Sequence, residues 1–320
     1  MKTLPAVAIL SASVAAQAVE PRAAASSVRA PDVSARAPDS SASERRGQVY
    51  EVEATPDLVY VPGSHDKRQQ LDLYLPRGAT GFPLVVFVHG GYWTSGGRRY
   101  FSLLTGLYGN FGRALARQGI GCAVISYRLA PQTQIEGQLD DVTAALKYVS
   151  TEGRARGAGE ALFLAGHSAG GHLVTVVAND AARLEAAGLD AARLKGVLAL
   201  SPVLDLAHMK AHSSDQFNRK VTARVFGPDA ASEAARFAKF SPSNTLGAQM
   251  KPMLLVVGGR DYPYLAEQVK AQARRLQALS APLEFHEVPG YSHEQIALKV
   301  DRKRDAVTPL MVAFVRAHAG

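Results

Sequence analysis

Leu162-Phe163-Leu164-Ala165-Gly166-His167-Ser168-Ala169-Gly170-Gly171-His172 is the stretch on which the fold of this chain turns. An apolar run of strand length enters a Gly-x-Ser-x-Gly turn, and residues 170 to 186 beyond it carry a helical pattern. A serine at so tight a strand-to-helix turn holds a strained backbone, and small neighbours let the chain pass while its hydroxyl projects above the sheet. Ser168 is therefore the first candidate for chemistry.

Outward from that turn, apolar runs of strand length alternate with longer helical patterns, which predicts an α/β architecture: a mostly parallel sheet with helices on both faces. Eight strands are expected, at Val49 to Ala54, Leu71 to Leu75, Leu84 to Val88, Cys122 to Ser126, Leu162 to Ala165, Val197 to Leu200, Met253 to Val257 and Leu283 to Val288. Helical patterns fill residues 101–118, 136–151, 170–186, 264–279 and 305–318. The first two strands interleave Glu51, Glu53, Asp72 and Tyr74 with apolar residues, the mark of a half-exposed antiparallel edge. Between Leu200 and Met253 the gap is too long for a plain connection. Its Met209, Phe217, Val225, Phe226, Phe237 and Phe240 suggest a small cap at about 204–243.

A serine hydroxyl needs a base, and the base needs a carboxylate to orient it. Asp261 follows the strand Met253 to Val257 and His293 follows the last strand, so both fall in loops at the same end of the sheet as Ser168. Asp205, after Ser201-Pro202, is the rival acid. The other histidines fit the base role less well: His286 lies within a strand, His208 and His212 in the cap, and His65 ahead of most of the sheet.

Such chemistry places negative charge on a former carbonyl oxygen, and backbone N–H groups receive it. His89-Gly90-Gly91-Tyr92-Trp93 follows the strand Leu84 to Val88, so Gly91, Tyr92 and Ala169 are the expected oxyanion-hole donors. Tyr92 and Trp93 are the expected substrate-binding side chains. His89 is expected to fix the loop by hydrogen bonds and His172 to pack. No metal or cofactor is required, and the expected partner is a small-molecule ester or amide.

At these motifs the chain resembles one branch of the α/β-hydrolases. That branch holds hormone-sensitive-lipase-like carboxylesterases, kynurenine formamidases and bifunctional feruloyl/acetyl-xylan esterase-like proteins. The resemblance covers about residues 69–316 and runs in order through Leu71-Asp72-Leu73-Tyr74-Leu75-Pro76, His89 to Trp93, Ser126-Tyr127-Arg128-Leu129-Ala130-Pro131, Gly166 to His172, Asp261 and His293. It implies the α/β-hydrolase fold and a serine hydrolase acting through an acyl-enzyme on small-acyl carboxylic esters. Tyr92 stands where the lipase-like esterases usually have a third glycine, which is similar to the formamidases and keeps arylformamidase activity (N-formylkynurenine hydrolysis) as the alternative. A non-catalytic binding protein on the same scaffold is the contrasting class. Filled Ser168, Asp261 and His293 positions speak against it.

The remaining composition narrows the partners. The 320 residues include 47% hydrophobic and 20% charged residues, material for one globular domain at 48–320. A net charge of +8 is spread along the chain among acids, with no aromatic-interleaved basic stripe, so no nucleic-acid partner is expected. Residues 1–18 read as a signal peptide ending in Ala16-Gln17-Ala18, and an exported protein, periplasmic or secreted, is the expectation. Residues 19–47 are rich in Ala, Ser, Pro and Arg and nearly repeat a heptapeptide from Arg29 and again from Arg36, the composition of a disordered linker. No later segment has the ~20 consecutive apolar residues of a membrane span. Cys122 is the single cysteine, so no internal disulfide forms.

Overall fold

The structure is a computed structural model and describes residues 48–99 and 106–320. The expectations for 1–18 and 19–47, and the start of the helix expected at 101–118, lie outside the described residues.

Eight strands form one sheet: β1 (Val52–Val59), β2 (Gln70–Pro76), β3 (Phe82–Val88), β4 (Gly121–Ile125), β5 (Ala158–His167), β6 (Leu194–Leu200), β7 (Met253–Arg260) and β8 (Leu283–Ser292). Their spatial order is β1-β2-β4-β3-β5-β6-β7-β8. The pairs from β4 through β8 are parallel, while β2 runs antiparallel to both β1 and β4. Each expected strand is present. The first pair is the expected antiparallel pair at one edge, but only β1 of the two is half-exposed, which corrects the expectation for β2. β2 lies inside the sheet, and its buried Asp72 is neutralised by Arg98 and Arg99 at 3.1 and 2.7 Å.

Alternation along each strand divides the apolar residues between two cores. Leu84, Val86 and Val88 of β3 join α2 (Ile135–Ala155), α3 (Ala169–Ala178) and, further along the sheet, α7 (Pro263–Ala278). Val85 and Phe87 face the opposite side, with Phe111 and Leu115 of α1 (Gly109–Arg117) and Met311 and Phe314 of α9 (Thr308–His318). In α2, Leu139, Val142, Leu146 and Val149 recur at helical spacing and are all buried, so the helix lays one stripe on the sheet. Each such side chain contributes about 1.5–3 kcal/mol of burial.

The helical pattern at 170–186 is two helices, α3 and α4 (Ala181–Ala186). Asn179 caps the end of the first and Asp180 starts the second, its carboxylate accepting the Arg183 N–H at 3.0 Å. The long gap after β6 is also helical, with α5 (Leu206–Ala211), short turns, and α6 (Ala230–Phe240). Phe226, Phe237 and Phe240 of this segment are buried, so these rings anchor it.

Backbone packs closely on backbone where β5 turns into α3. A β-carbon on Gly170 would stand 2.2 Å from the Val88 carbonyl oxygen and 2.5 Å from that of His89, both backbone atoms. Gly170→Ala is expected to lower the urea midpoint strongly, by the equivalent of about 1–3 kcal/mol or more, whereas Gly247→Ala, with no atom within 4 Å of the added carbon, stays near wild type. Equal midpoints in the two variants would show that the β3–α3 contact yields without cost.

Candidate active site

Four loops converge at the carboxyl ends of the parallel strands, after β3, β5, β7 and β8. β3 pairs with β4 on one side and β5 on the other, so successive connections leave in opposite directions and a crevice opens between the loops that follow β3 and β5. Ser168 sits there with φ 56° and ψ −121°, a conformation outside the ordinary helix and strand regions. Its N–H donates to the Leu200 carbonyl at 2.9 Å and its own carbonyl accepts the His172 N–H at 3.1 Å, so β6 and α3 hold the turn.

Asp261 and His293 come together from different loops. The His293 Nδ1–H donates to Asp261 Oδ1 at 2.9 Å, and both residues are buried. The Tyr262 N–H also donates to Oδ1, at 2.8 Å, and the Ser201 hydroxyl donates to Oδ2. Burial raises the Asp261 pKa, but the hydrogen bonds and charge of His293 and the Ser201 hydroxyl outweigh it and hold the carboxyl below its usual range. His293 opens α8 (His293–Leu298), whose first turn is closed by a reciprocal Ser292/Gln295 capping box. Asp205 stands elsewhere: it caps α5, accepting the His208 N–H at 2.9 Å.

The elbow is tied to the histidine loop by the residue before Ser168. His167 donates its Nε2–H to the His293 carbonyl at 3.0 Å, with the rings 4.7 Å apart. That tautomer leaves Nδ1 to accept from the Tyr108 hydroxyl at 3.5 Å, and the same hydroxyl accepts the Gly90 N–H at 3.1 Å. One relay thus joins the β3 loop, the elbow and the histidine. Neither His167 nor Tyr108 nor Ser201 was singled out by its sequence position.

In the β3 loop Gly91, Tyr92 and Trp93 have φ of 119°, 55° and 59°. At Gly91 a β-carbon would fall 2.2 Å from the Ser95 carbonyl oxygen, so only glycine fits. Among the described residues no acceptor takes the N–H of Gly91, Tyr92 or Ala169, which leaves three donors available at the crevice. Such donors can stabilise an oxyanion. His89 donates from Nδ1 to the Gly90 carbonyl at 2.7 Å and stacks on Tyr127, bracing the loop from behind.

The two aromatic residues of this loop part ways. Trp93 was expected to touch substrate, but it is 0% exposed and has no surface to offer. Its Nε1–H donates to His172 Nδ1 at 3.3 Å, its ring meets Phe226 edge-on at 5.3 Å, and its carbonyl accepts from Gln138 at 2.8 Å. His172 in turn donates from Nε2 to the Phe240 carbonyl at 2.8 Å. Tyr92 is 38% exposed and packs edge-on against Phe217 at 5.2 Å, and the ring of Tyr262 lies 5.0 Å from that of His293. The Tyr262 hydroxyl donates to Glu294.

Burial pushes His89 and His172 down to about 4 and, with the repulsion of His293, His167 down to about 3. An unfolded histidine titrates near ~6.5, so the stability these neutral rings support is full above that pH and is lost as pH falls toward the folded values. Three extra protons on the unfolded chain give a slope of at most about 4 kcal/mol per pH unit between about pH 6 and pH 4. Urea melts at half-unit steps are expected to show the midpoint falling steeply across that window. A flat profile would mean that the three rings are protonated in the folded state.

Residues 85–297 match the alpha/beta hydrolase fold family. An isoprenylcysteine alpha-carbonyl methylesterase of Arabidopsis thaliana is 29% identical over 246 residues, 72% of this chain and 55% of the relative. The chain thus spans about half the length of such curated relatives. A kynurenine formamidase of Danio rerio is 24% identical over 264 residues, covering 82% of this chain and 83% of the relative. A solved structure of esterase B from Lactobacillus rhamnosis, inhibited by a C4-C4 tributyrin phosphonate, superposes with a TM-score of 0.69 at 25% identity over 87% of this chain and 90% of that chain. Nucleophile-elbow geometry, strand order and family match agree: the chain belongs to the alpha/beta hydrolase fold family.

Proposed function

We propose that this protein is a serine hydrolase of small-acyl carboxylic esters, working through an acyl-enzyme on Ser168. The observation that carries the proposal is the 2.9 Å bond from His293 Nδ1–H to Asp261, which leaves Nε2 as the proton acceptor in a loop held against the strained Ser168 turn. As the Ser168 hydroxyl oxygen attacks the ester carbonyl, its proton passes to His293 Nε2, and Asp261 holds the resulting imidazolium. The N–H groups of Gly91, Tyr92 and Ala169 take the charge on the tetrahedral oxygen. Collapse expels the alkoxide, which leaves with the proton from His293. Water then attacks the acyl-enzyme by the same route, releasing the acid and restoring the serine.

The short-acyl part of the proposal rests on the crevice rim. Tyr92, Phe217, Tyr262 and Tyr264 crowd it with rings, Tyr92 against Phe217 and Tyr262 against Tyr264. A shallow site gains little burial from extra methylenes. The related esterase B was solved with inhibitors described as C4-C4 and C6-C4, which are short chains too. Arylformamidase action is the second reading, favoured by the match to a kynurenine formamidase over most of both chains.

A fluorophosphonate probe is expected to label the protein and to spare Ser168→Ala. Ser168→Ala and His293→Ala should each lower kcat by up to about 10⁶-fold and Asp261→Asn by about 10⁴-fold. Asp205→Asn keeps a side-chain oxygen to cap α5 and should leave kcat close to wild type. Should Asp205→Asn prove the more damaging change, Asp261 is not the acid. Across C2 to C12 nitrophenyl esters kcat/KM should peak at C2 to C4. An optimum at C8 or beyond overturns the short-acyl proposal, and efficient N-formylkynurenine cleavage with poor ester turnover selects the formamidase.

A further inference from the structure

Apart from the Ser168 crevice, His208, His212 and Glu267 bring one ligand atom each to within 4.8 Å of one another. They come from two elements. His208 lies in α5 and His212 is its C-cap, four residues on and so on the same face, while Glu267 lies in α7, the helix that follows Asp261. The two imidazoles stack with centroids 4.2 Å apart.

Their hydrogen bonding leaves coordinating lone pairs available. His212 Nδ1 sits 2.8 Å from the His208 carbonyl, which only accepts, so Nδ1 carries the proton and Nε2 the lone pair. His208 Nε2 is shielded from solvent and has no hydrogen-bond partner among the described residues. Its neighbour, Glu267 Oε2, is 3.8 Å away, beyond hydrogen-bond reach. A buried polar atom left unmatched costs about 1–3 kcal/mol. His208 and Glu267 also face a cavity of about 470 Å³ that Asp205 lines, with space for an ion and water.

We propose that His208, His212 and Glu267 form a site for a divalent transition-metal ion of the zinc class, which clips α5 to α7. Two imidazoles and a carboxylate suit Zn²⁺, Ni²⁺ or Cu²⁺ and disfavour Mg²⁺ and Ca²⁺, which prefer oxygen. Zinc holds nitrogen and oxygen ligands at about 2.0–2.2 Å, which puts tetrahedral neighbours about 3.4 Å apart. The set has to draw in around the ion, and Glu267, already 3.8 Å from His208 Nε2 and with a side chain 65% exposed, turns toward it without disturbing packing. The role is structural, since Ser168 chemistry uses none of these groups, and the inference stands whether or not the protein is an esterase.

The test is calorimetric titration of the chelator-stripped, full-length protein with ZnCl₂, alongside thermal melts with and without Zn²⁺. One ion per chain is expected, bound equally by wild type, Ser168→Ala and His293→Ala, with a higher melting temperature in its presence. His208→Ala, His212→Ala and Glu267→Gln should each weaken binding at least about tenfold, because loss of outer partners alone costs about 10–100-fold, and should abolish the thermal shift. Metal-free, these variants should hydrolyse esters as wild type does if Ser168 is active, so a failed esterase assay and a failed metal site are separate results. Absence of Zn²⁺ binding, binding untouched by the three substitutions, or binding lost in His293→Ala would each overturn the proposal.

Discussion

Where Gly170 meets the last turn of β3, the Val88 and His89 carbonyl oxygens occupy the space that any side chain would need. That contact lets α3 start hard against the β3 loop, so the donors at the start of α3 and those of Gly91 and Tyr92 share one crevice. It falls at the point in the sheet where connections diverge, between β3 and β5. Backbone strain is concentrated around it, with positive φ at Ser168, Tyr92 and Trp93. Each such residue costs about 1–3 kcal/mol. The cost is offset where the strain arises, by the burial of Trp93 and the hydrogen bonds on either side of Ser168.

Polar groups inside the site divide into one charged acid and several neutral rings. Asp261 stays ionised because His293, Ser201 and the Tyr262 N–H meet its oxygens. His89, His167 and His172 serve as fixed-tautomer connectors, since a protonated ring in those buried places would lack a counter-charge. The same residue type thus acts as brace at three positions and as candidate base at His293. The difference lies in the partner: those three rings bond to backbone carbonyls, while His293 alone among them bonds a carboxylate.

Most of the fold was legible because its signals are local. Buried parallel strands read as short apolar runs, and all eight were placed. Ser168 was legible for the same reason, since strand, turn and helix are contiguous. Asp261 is preferred over Asp205 from its place after β7, and the structure shows the physical difference: one carboxylate reaches His293 and the other caps α5. Asp72 misled because alternating charge ordinarily signals exposure, and the arginines that neutralise it lie 26 and 27 residues away. Trp93 misled because adjacent residues in a tight loop point in opposite directions, one to solvent and one to the core. Ser201, Tyr108 and His167 act through partners 60, 59 and 126 residues distant, a separation that no spacing rule reports.

The segment after β6 is joined to the crevice by more than proximity. Trp93 donates to His172, His172 donates to the Phe240 carbonyl, and Phe226 packs on Trp93, so α6 and its preceding turn bear on the loop that carries the Gly91 and Tyr92 donors. Phe217, from the same segment, reaches Tyr92 from the solvent side. The β3 loop is therefore held between a buried polar chain and an exposed aromatic contact, both supplied by one stretch of sequence. The same chain of bonds reaches the Ser168 turn, because the His172 N–H donates to the Ser168 carbonyl while its ring bonds the Phe240 carbonyl. In such an arrangement, changes in the segment bear on the rim, on the Gly91 and Tyr92 N–H groups and, through His172, on the Ser168 turn, while the Asp261–His293 pair is held by other elements.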